Sequence, residues 1–308
     1  MSSPISRRRF LCAAGAAALA AGCSSAEAPL AIAAGEQGGA YLEFAGLLAH
    51  QLTARGTPAA PVRTAGSVEN VALVHAGRAT AGLTLADVAD GARRGSLAVF
   101  GGPVPLVAIG RVYENYMQLI VRAEDDIHGP QDLAGRPISP GAPGSGAAVF
   151  GERLLAGVGA VATQLPLRAA VEALEQRRID ALLWSGGIPT PALAELARRR
   201  PIRLLPLDGE LDRLRAAYGP VYRALGVPAG AYGAAAVTTV GVANLLVCTP
   251  DAPDDVVDTI ATTLVTAAAE LVPGPALGTH YLDLRALIGT GDVPLHPGAR
   301  AAYRRLHG

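Results

Sequence analysis

Three glycine-rich turns stand where a short apolar run gives way to a helical pattern: Gly35-Glu36-Gln37-Gly38-Gly39, Gly66-Ser67 and Gly141-Ala142-Pro143-Gly144-Ser145-Gly146. A fourth, Ser185-Gly186-Gly187-Ile188-Pro189-Thr190, has the same position further along the chain. Such a turn leaves backbone N–H groups unpaired at the start of a helix, where the peptide dipole favours an anion. Two of these ends from each half of the chain, converging on one cleft, hold a carboxylate without a dedicated arginine. Any one turn is also explained as a tight strand-to-helix connection that needs glycine for steric reasons. Four in register favour a binding cleft.

Covalent chemistry has weaker support. Ser145 is not in a G-x-S-x-G elbow, because Pro143 replaces the first glycine, and Val149 stands where a G-x-G-x-x-G turn ends in glycine. The turn also lacks the lysine of a P-loop. A serine hydrolase built on Ser145 needs a histidine that the sequence does not place. The six histidines (His50, His75, His128, His280, His296, His307) are scattered, without the close pairs that metal sites use. No catalytic group, metal or cofactor is expected. His75 falls on an apolar helical face and reads as a core residue. Asp87 reads either as a helix cap or as a site residue. Trp184, the single tryptophan, reads either as core or as the floor of the cleft.

Composition bounds the rest. The chain has 308 residues, with 26 basic side chains, all arginine, against 26 acidic ones. Zero net charge argues against nucleic acid or an anionic membrane surface as partner. Half the residues are hydrophobic and only 4% aromatic, so the core is built from Ala, Val, Leu and Ile. At the N-terminus, Ser6-Arg7-Arg8-Arg9-Phe10-Leu11 precedes an apolar run to Ala21, then Gly22-Cys23 and a polar stretch. This is an export signal, too short to span a bilayer, which needs roughly 20 apolar residues. Its paired arginines fit twin-arginine export. Cys23 after Ala20-Ala21-Gly22 fits a bacterial lipoprotein site, with Ala20 where leucine is usual; the alternative is an ordinary cleaved signal ending near Ala21 or Ala26. The expected product is a lipoprotein anchored through Cys23 outside the cytoplasmic membrane. Cys12 also lies in the signal, so Cys248 is the one remaining thiol; its apolar setting reads as a buried structural cysteine.

The elements that position the turns follow from apolar periodicity. Strands are expected at Leu30 to Ala34, Val62 to Ala65 and Ala81 to Leu85. Between them lie a helix bearing Phe44, Leu47, Leu48 and Leu52 and another bearing Val68, Val71, Ala72 and His75; a short helix starts at Asp87. This β-α-β-α-β order implies a parallel sheet. Two strands, Val104 to Gly110 and Met117 to Val121, are expected around a polar turn. The pattern then restarts with strands at 138–141, 180–184 and 202–205, and helices at 147–156, 168–176 and after Thr190. Val237 to Val247 reads as a long crossing strand. A helix capped by Asp251, with Asp254 and Asp255 in its first turn, buries Val257, Ile260, Leu264, Ala268 and Leu271. A last helix is expected over 300–306. The fold class is α/β, a two-lobed clamshell with mostly parallel sheets and crossing hinge strands. Residues 1–22 are the signal and 23–29 a tether; lobe 1 is 30–112 completed by 240–308, and lobe 2 is 113–239.

Six segments in order carry a resemblance to a known family: Gly38-Gly39-Ala40-Tyr41, Gly66-Ser67-Val68-Glu69-Asn70, Gly141 to Gly146, Gly226-Val227-Pro228-Ala229-Gly230-Ala231-Tyr232, Asn244-Leu245-Leu246-Val247, and Pro294-Leu295-His296-Pro297-Gly298-Ala299. Together they resemble the TAXI-type solute-binding proteins of tripartite ATP-independent periplasmic (TRAP) transporters. The resemblance implies a periplasmic receptor that closes on a small organic acid or amino acid and delivers it to a TRAP-type permease. It also implies ligand contacts at Gly38, Gly39, Ala40, Tyr41, Ser67, Leu85, Asp87, Ser145, Gly146, Ala147, Trp184 and Gly187. Leu85 and Ala147 stand where relatives often carry Gln and Thr, and Ala40 where they carry Thr or Val. The loss of those polar groups suggests a ligand less polar than glutamate, such as a simple organic acid. The alternative function is a ligand-sensing lipoprotein partner of a membrane histidine kinase; the serine hydrolase ranks below it.

Overall fold

The computed structural model describes residues 28–272 and 282–307. The signal, Cys23 and residues 24–27 of the tether lie outside the described residues. The chain opens with β1 (Leu30–Ala33), α1 (Ala40–Ala54), β2 (Ala59–Val62), α2 (Ser67–His75), β3 (Ala81–Leu85) and α3 (Ala86–Arg94). A long strand, β4 (Val107–Arg122), leads into β5 (Pro137–Ser139), α4 (Gly146–Leu154), β6 (Val161–Ala162), α5 (Leu167–Glu175), β7 (Ala181–Gly186) and α6 (Pro191–Arg199). Then come β8 (Ile202–Leu204), α7 (Leu211–Tyr218), β9 (Tyr222–Val227), β10 (Val237–Cys248), α8 (Asp254–Thr266), α9 (Leu284–Ile288) and α10 (Pro297–His307). Among the described residues no helix is long and apolar enough to cross a membrane.

The fold is mixed α/β, and its sheet runs β2-β1-β3-β10-β4-β7-β5-β6, with β8 added to β4 and β9 to β10. Parallel pairing is confined to two outer groups, β1 with β2 and β3, and β5 with β6 and β7. The long strands β4 and β10 run antiparallel to each other and to every strand they meet in between. β10 pairs with β9 through Val237 to Val242 and with β3 through Asn244 to Val247, so one strand serves both halves. One core packs Ile32, Phe44, Leu48, Leu83, Leu246 and Leu264 between the first-half strands, α1 and α8; another packs Ile120, Val171, Leu174, Leu182 and Leu193 in the second half. Cys248 lies in the first of these, where burial pushes its thiol up to about 12.

Several elements differ from the sequence reading. β4 is one strand of 16 buried residues, where two strands around a polar turn were expected. Its polar centre stays extended because Arg111 forms an ion pair with Glu114 and Asn115 donates Nδ2 to the Ser185 hydroxyl, so burial is compensated in part. β2 ends where a strand was expected to begin. Its register places Leu30 beside Ala59, and Pro61 is tolerated because β2 is an edge strand. Thr64 and Ala65 turn instead, the Thr64 hydroxyl donating to Asn70 Oδ1 at 2.6 Å and the Ala65 N–H to Glu69 at 2.7 Å.

His75 is exposed, not core, and so is Ala72. The buried face of α2 is Val68, Val71 and Val74, joined by Asn70, whose amide nitrogen donates to Ala34 and Leu83 carbonyls at 2.5 and 2.6 Å. Asp251 does not cap α8, which starts at Asp254 after Pro253. That helix stops at Thr266, leaving Ala268 beyond it. α10 begins at Pro297, earlier than expected, because proline suits the first helical position. Segments β6, α7 and β9 were not anticipated; α7 buries only Leu211 and Leu214, too few to show a periodic stripe.

Candidate functional site

A cavity of ≈ 50 Å³ lies where the starts of α1, α2 and α4 meet β3, β4 and β7. Gly39, Ala40, Tyr41, Ser67, Leu85, Ser145, Gly146, Ala147 and Trp184 line it. The structure therefore brings together most of the residues singled out from the sequence. Gly39 caps α1 and Gly66 caps α2 without a side-chain bond, so backbone N–H groups at both starts are left to other partners. At α2, Val68 and Glu69 donate theirs to the Gly144 carbonyl at 3.1 and 3.2 Å, a contact between the two halves. At α4, the Ser145 hydroxyl accepts from Ala148 N at 3.1 Å.

Close approach explains Gly146, whereas Gly66, at φ +126, is required by its turn. A Cβ on Gly146 would lie 2.5 Å from Leu85 Cδ1 and 2.6 Å from Ser67 Oγ, so only glycine lets α4 meet the end of β3. A Cβ on Gly39 would make only ordinary contact with the Trp184 ring, at 3.7 Å, its tightest neighbour being the Glu36 carbonyl at 3.2 Å. Tyr41 donates to Asn244 Oδ1 at 2.5 Å and lies 3.4 Å from Ser67 Oγ, which accepts the Leu85 N–H at 3.0 Å. Burial pushes the Tyr41 phenol far up, which keeps it neutral.

Three residues are not brought to the cavity. Gly38 is an exposed turn residue at φ +84. Gly187 offers its carbonyl to Gln118 Nε2 at 3.3 Å and to the Thr190 hydroxyl at 2.8 Å. Asp87, which has no capping role in α3, is 2% exposed and its Oδ2 accepts from Arg153 at 2.8 Å and Tyr222 at 2.9 Å. The fourth glycine-rich turn also departs from expectation. β7 continues through Gly186, and the N–H of Thr190 at the start of α6 is taken by the Tyr232 hydroxyl at 2.6 Å. That turn contributes Ser185 and Gly186 to the cavity, while α6 itself stays out. Three helix starts converge, not four.

Glu36 and Asn115 line the cavity and were not named from the sequence as contacts, whereas Ser185 and Gly186 fall within the expected Trp184 to Gly187 segment. Glu36 Oε2 accepts the Leu167 N–H at 3.0 Å, tying the β1–α1 turn to the start of α5. Burial pushes the Glu36 carboxyl above its ordinary value of 4.5, against the smaller lowering effects of that bond and of Arg63. Glu36 sat inside a turn already marked by its glycines, whereas Asn115 was hidden by the mistaken polar turn. Among the described residues no histidine, arginine or lysine lines the cavity, and the Ser145 hydroxyl is already engaged in capping. The arrangement offers amide donors to an anion and carboxylate or amide oxygen to a donor.

The architecture is the periplasmic-binding-protein fold. A protein solved as a periplasmic transporter superposes with a TM-score of 0.51 at 14% identity, over 91% of this chain and 92% of that one. A mutant of ArgBP from T. maritima gives 0.50 at 10% identity, over 79% and 91%. Residues 32–305 match the model of the NMT1-like family, and the chain belongs to that family.

Proposed function

We propose that this protein is an extracytoplasmic substrate-binding receptor that captures a small organic acid or amino acid for a TRAP-type permease. The observation that carries the reading is the convergence of three helix starts on one small cavity bounded by both halves of the sheet. Ligands of open α/β folds sit at the carboxyl ends of strands, and β3 and β7 both end here. Residues 30–112 with 240–308 act as one lobe and 113–239 as the other, with β4 and β10 as the hinge. Closure buries the ligand, and the closed shape is what the permease reads. Acylation at Cys23 after twin-arginine export keeps the receptor beside its permease. The choice of a TRAP permease rests on the ordered motif set. The receptor reading rests on the cavity and is tested separately.

A thermal-shift screen of carboxylates and amino acids on purified protein tests it. A ligand at 100 times its Kd adds about 2.7 kcal/mol to stability, which raises Tm by several degrees in a chain of this size. Stabilisation by members of these classes, lost in a Gly146→Leu variant that fills the cavity, is the expected result. A uniformly flat screen contradicts the proposal.

A further inference from the structure

The cavity presents an acceptor as well as donors. Glu36 uses Oε2 on Leu167, and its Oε1 is buried with no partner among the described residues. Among the described residues no basic side chain lines the cavity, and Arg63 acts on that charge from outside it. Asn115 adds a second unpaired polar atom to the same wall. It is 3% exposed, gives Nδ2 to Ser185 Oγ at 2.9 Å, and leaves Oδ1 buried and unpartnered. A buried acceptor without a donor is costly, and a bound molecule that supplies the donor removes the cost. The starts of α1 and α4 make the opposite demand, since they offer N–H groups to an anion, whereas α2 has already given two of its own to the Gly144 carbonyl.

We infer that Glu36 is the specificity-determining residue of this cleft, taking the ammonium or amine N–H of a ligand whose single carboxylate sits at the starts of α1 and α4. The inference rests on the receptor reading above and narrows its ligand class to small zwitterions. A simple organic acid would leave Glu36 unpaired. A dicarboxylate would set its second charge against Glu36. The absence of polar groups at Leu85 and Ala147 therefore does not make the site apolar, because the polar contact has moved to the β1–α1 turn. The cavity has room for roughly four water-sized positions, which suits a compact amino acid better than an extended one.

The test is isothermal titration of the purified protein with short α-amino acids, each beside the acid that lacks its amino group (alanine with propionate, for example), and with succinate. The amino acid is expected to bind about 10–100-fold more tightly than its partner acid, the range of one charge-assisted hydrogen bond. Succinate is expected to bind no better than propionate. Glu36→Gln keeps the shape and an oxygen for Leu167, and is expected to bring the ratio close to one by weakening the amino acid alone. A loss shared equally by both ligands would mark Glu36 as merely structural and overturn the inference. Tighter binding of the des-amino acids would also overturn it while leaving the receptor reading in place. Binding of neither set would overturn both.

Discussion

Glu36 and Asp87 are both carboxylates of the first half of the chain, and each meets a residue of the second half, but on different terms. Asp87 faces a guanidinium: Arg153 donates to its Oδ2, to the Tyr222 hydroxyl at 2.7 Å, and stacks 4.6 Å from the Tyr218 ring. Burial raises the Asp87 carboxyl and Arg153 opposes that rise; Arg153 in turn is raised, Asp87 and Tyr222 outweighing its own burial. Glu36 accepts one backbone N–H, and the charge of Arg63 acts on it without Arg63 lining the cavity. Both keep one buried oxygen without a partner, so the difference is the counter-charge and the place: Asp87 is held by Arg153 outside the cavity, whereas the idle oxygen of Glu36 belongs to a residue that lines it. The comparison also explains why Asp87, an attractive site residue in the sequence, is absent from the cavity. Its charge is already met.

Breaking the Asp87 cluster has the largest expected effect. Asp87→Ala leaves Arg153 buried without its partner and is expected to cost about 3–5 kcal/mol in chemical denaturation, with the ratio of amino acid to des-amino acid affinity unchanged. Gly146→Ala comes next. The added methyl meets Leu85 and Ser67, so overpacking of about 1–3 kcal/mol falls on the closed cleft, and calorimetry is expected to show about tenfold or greater loss of ligand affinity. Glu36→Gln reverses the Asp87 pattern, with denaturation midpoints moved by less than about 1 kcal/mol while selectivity collapses.

The smallest effect is a pH response. The folded Glu36 pKa lies above its ordinary value, so the folded protein binds this proton more readily than the unfolded chain does. The stability linked to this group is therefore greatest at low pH and is lost as pH rises through the folded pKa. Binding of an ammonium ligand needs the ionised form and moves the other way, weakening as pH falls through the same window just above the ordinary carboxylate value. Titrations from neutral to acidic pH are expected to show this weakening in the wild type and not in Glu36→Gln.

What was legible in the sequence follows the range of the interactions involved. β1, β3, α1 and β10 were readable because apolar periodicity is local, and the three turns that matter stood out through their glycines. β4 was misread because the justification for burying Arg111, Glu114 and Asn115 lies partly on β7, some seventy residues away. His75 was misplaced because Asn70, a polar residue, takes a buried position on α2 through bonds to β1 and β3 carbonyls. Glu36 was quoted within its turn without being chosen, since its importance depends on Leu167 arriving opposite. Backbone and apolar signals thus located the cavity. The polar contacts that define its selectivity depend on residues distant in sequence.

A crystal structure with the tightest-binding amino acid tests the central claim most directly. The account predicts the ligand in the cavity between Gly39, Gly146 and Trp184, its carboxylate at the helix starts and its ammonium within hydrogen-bond distance of Glu36 Oε1. A ligand bound outside this cavity, or one whose carboxylate turns toward Glu36, would contradict it.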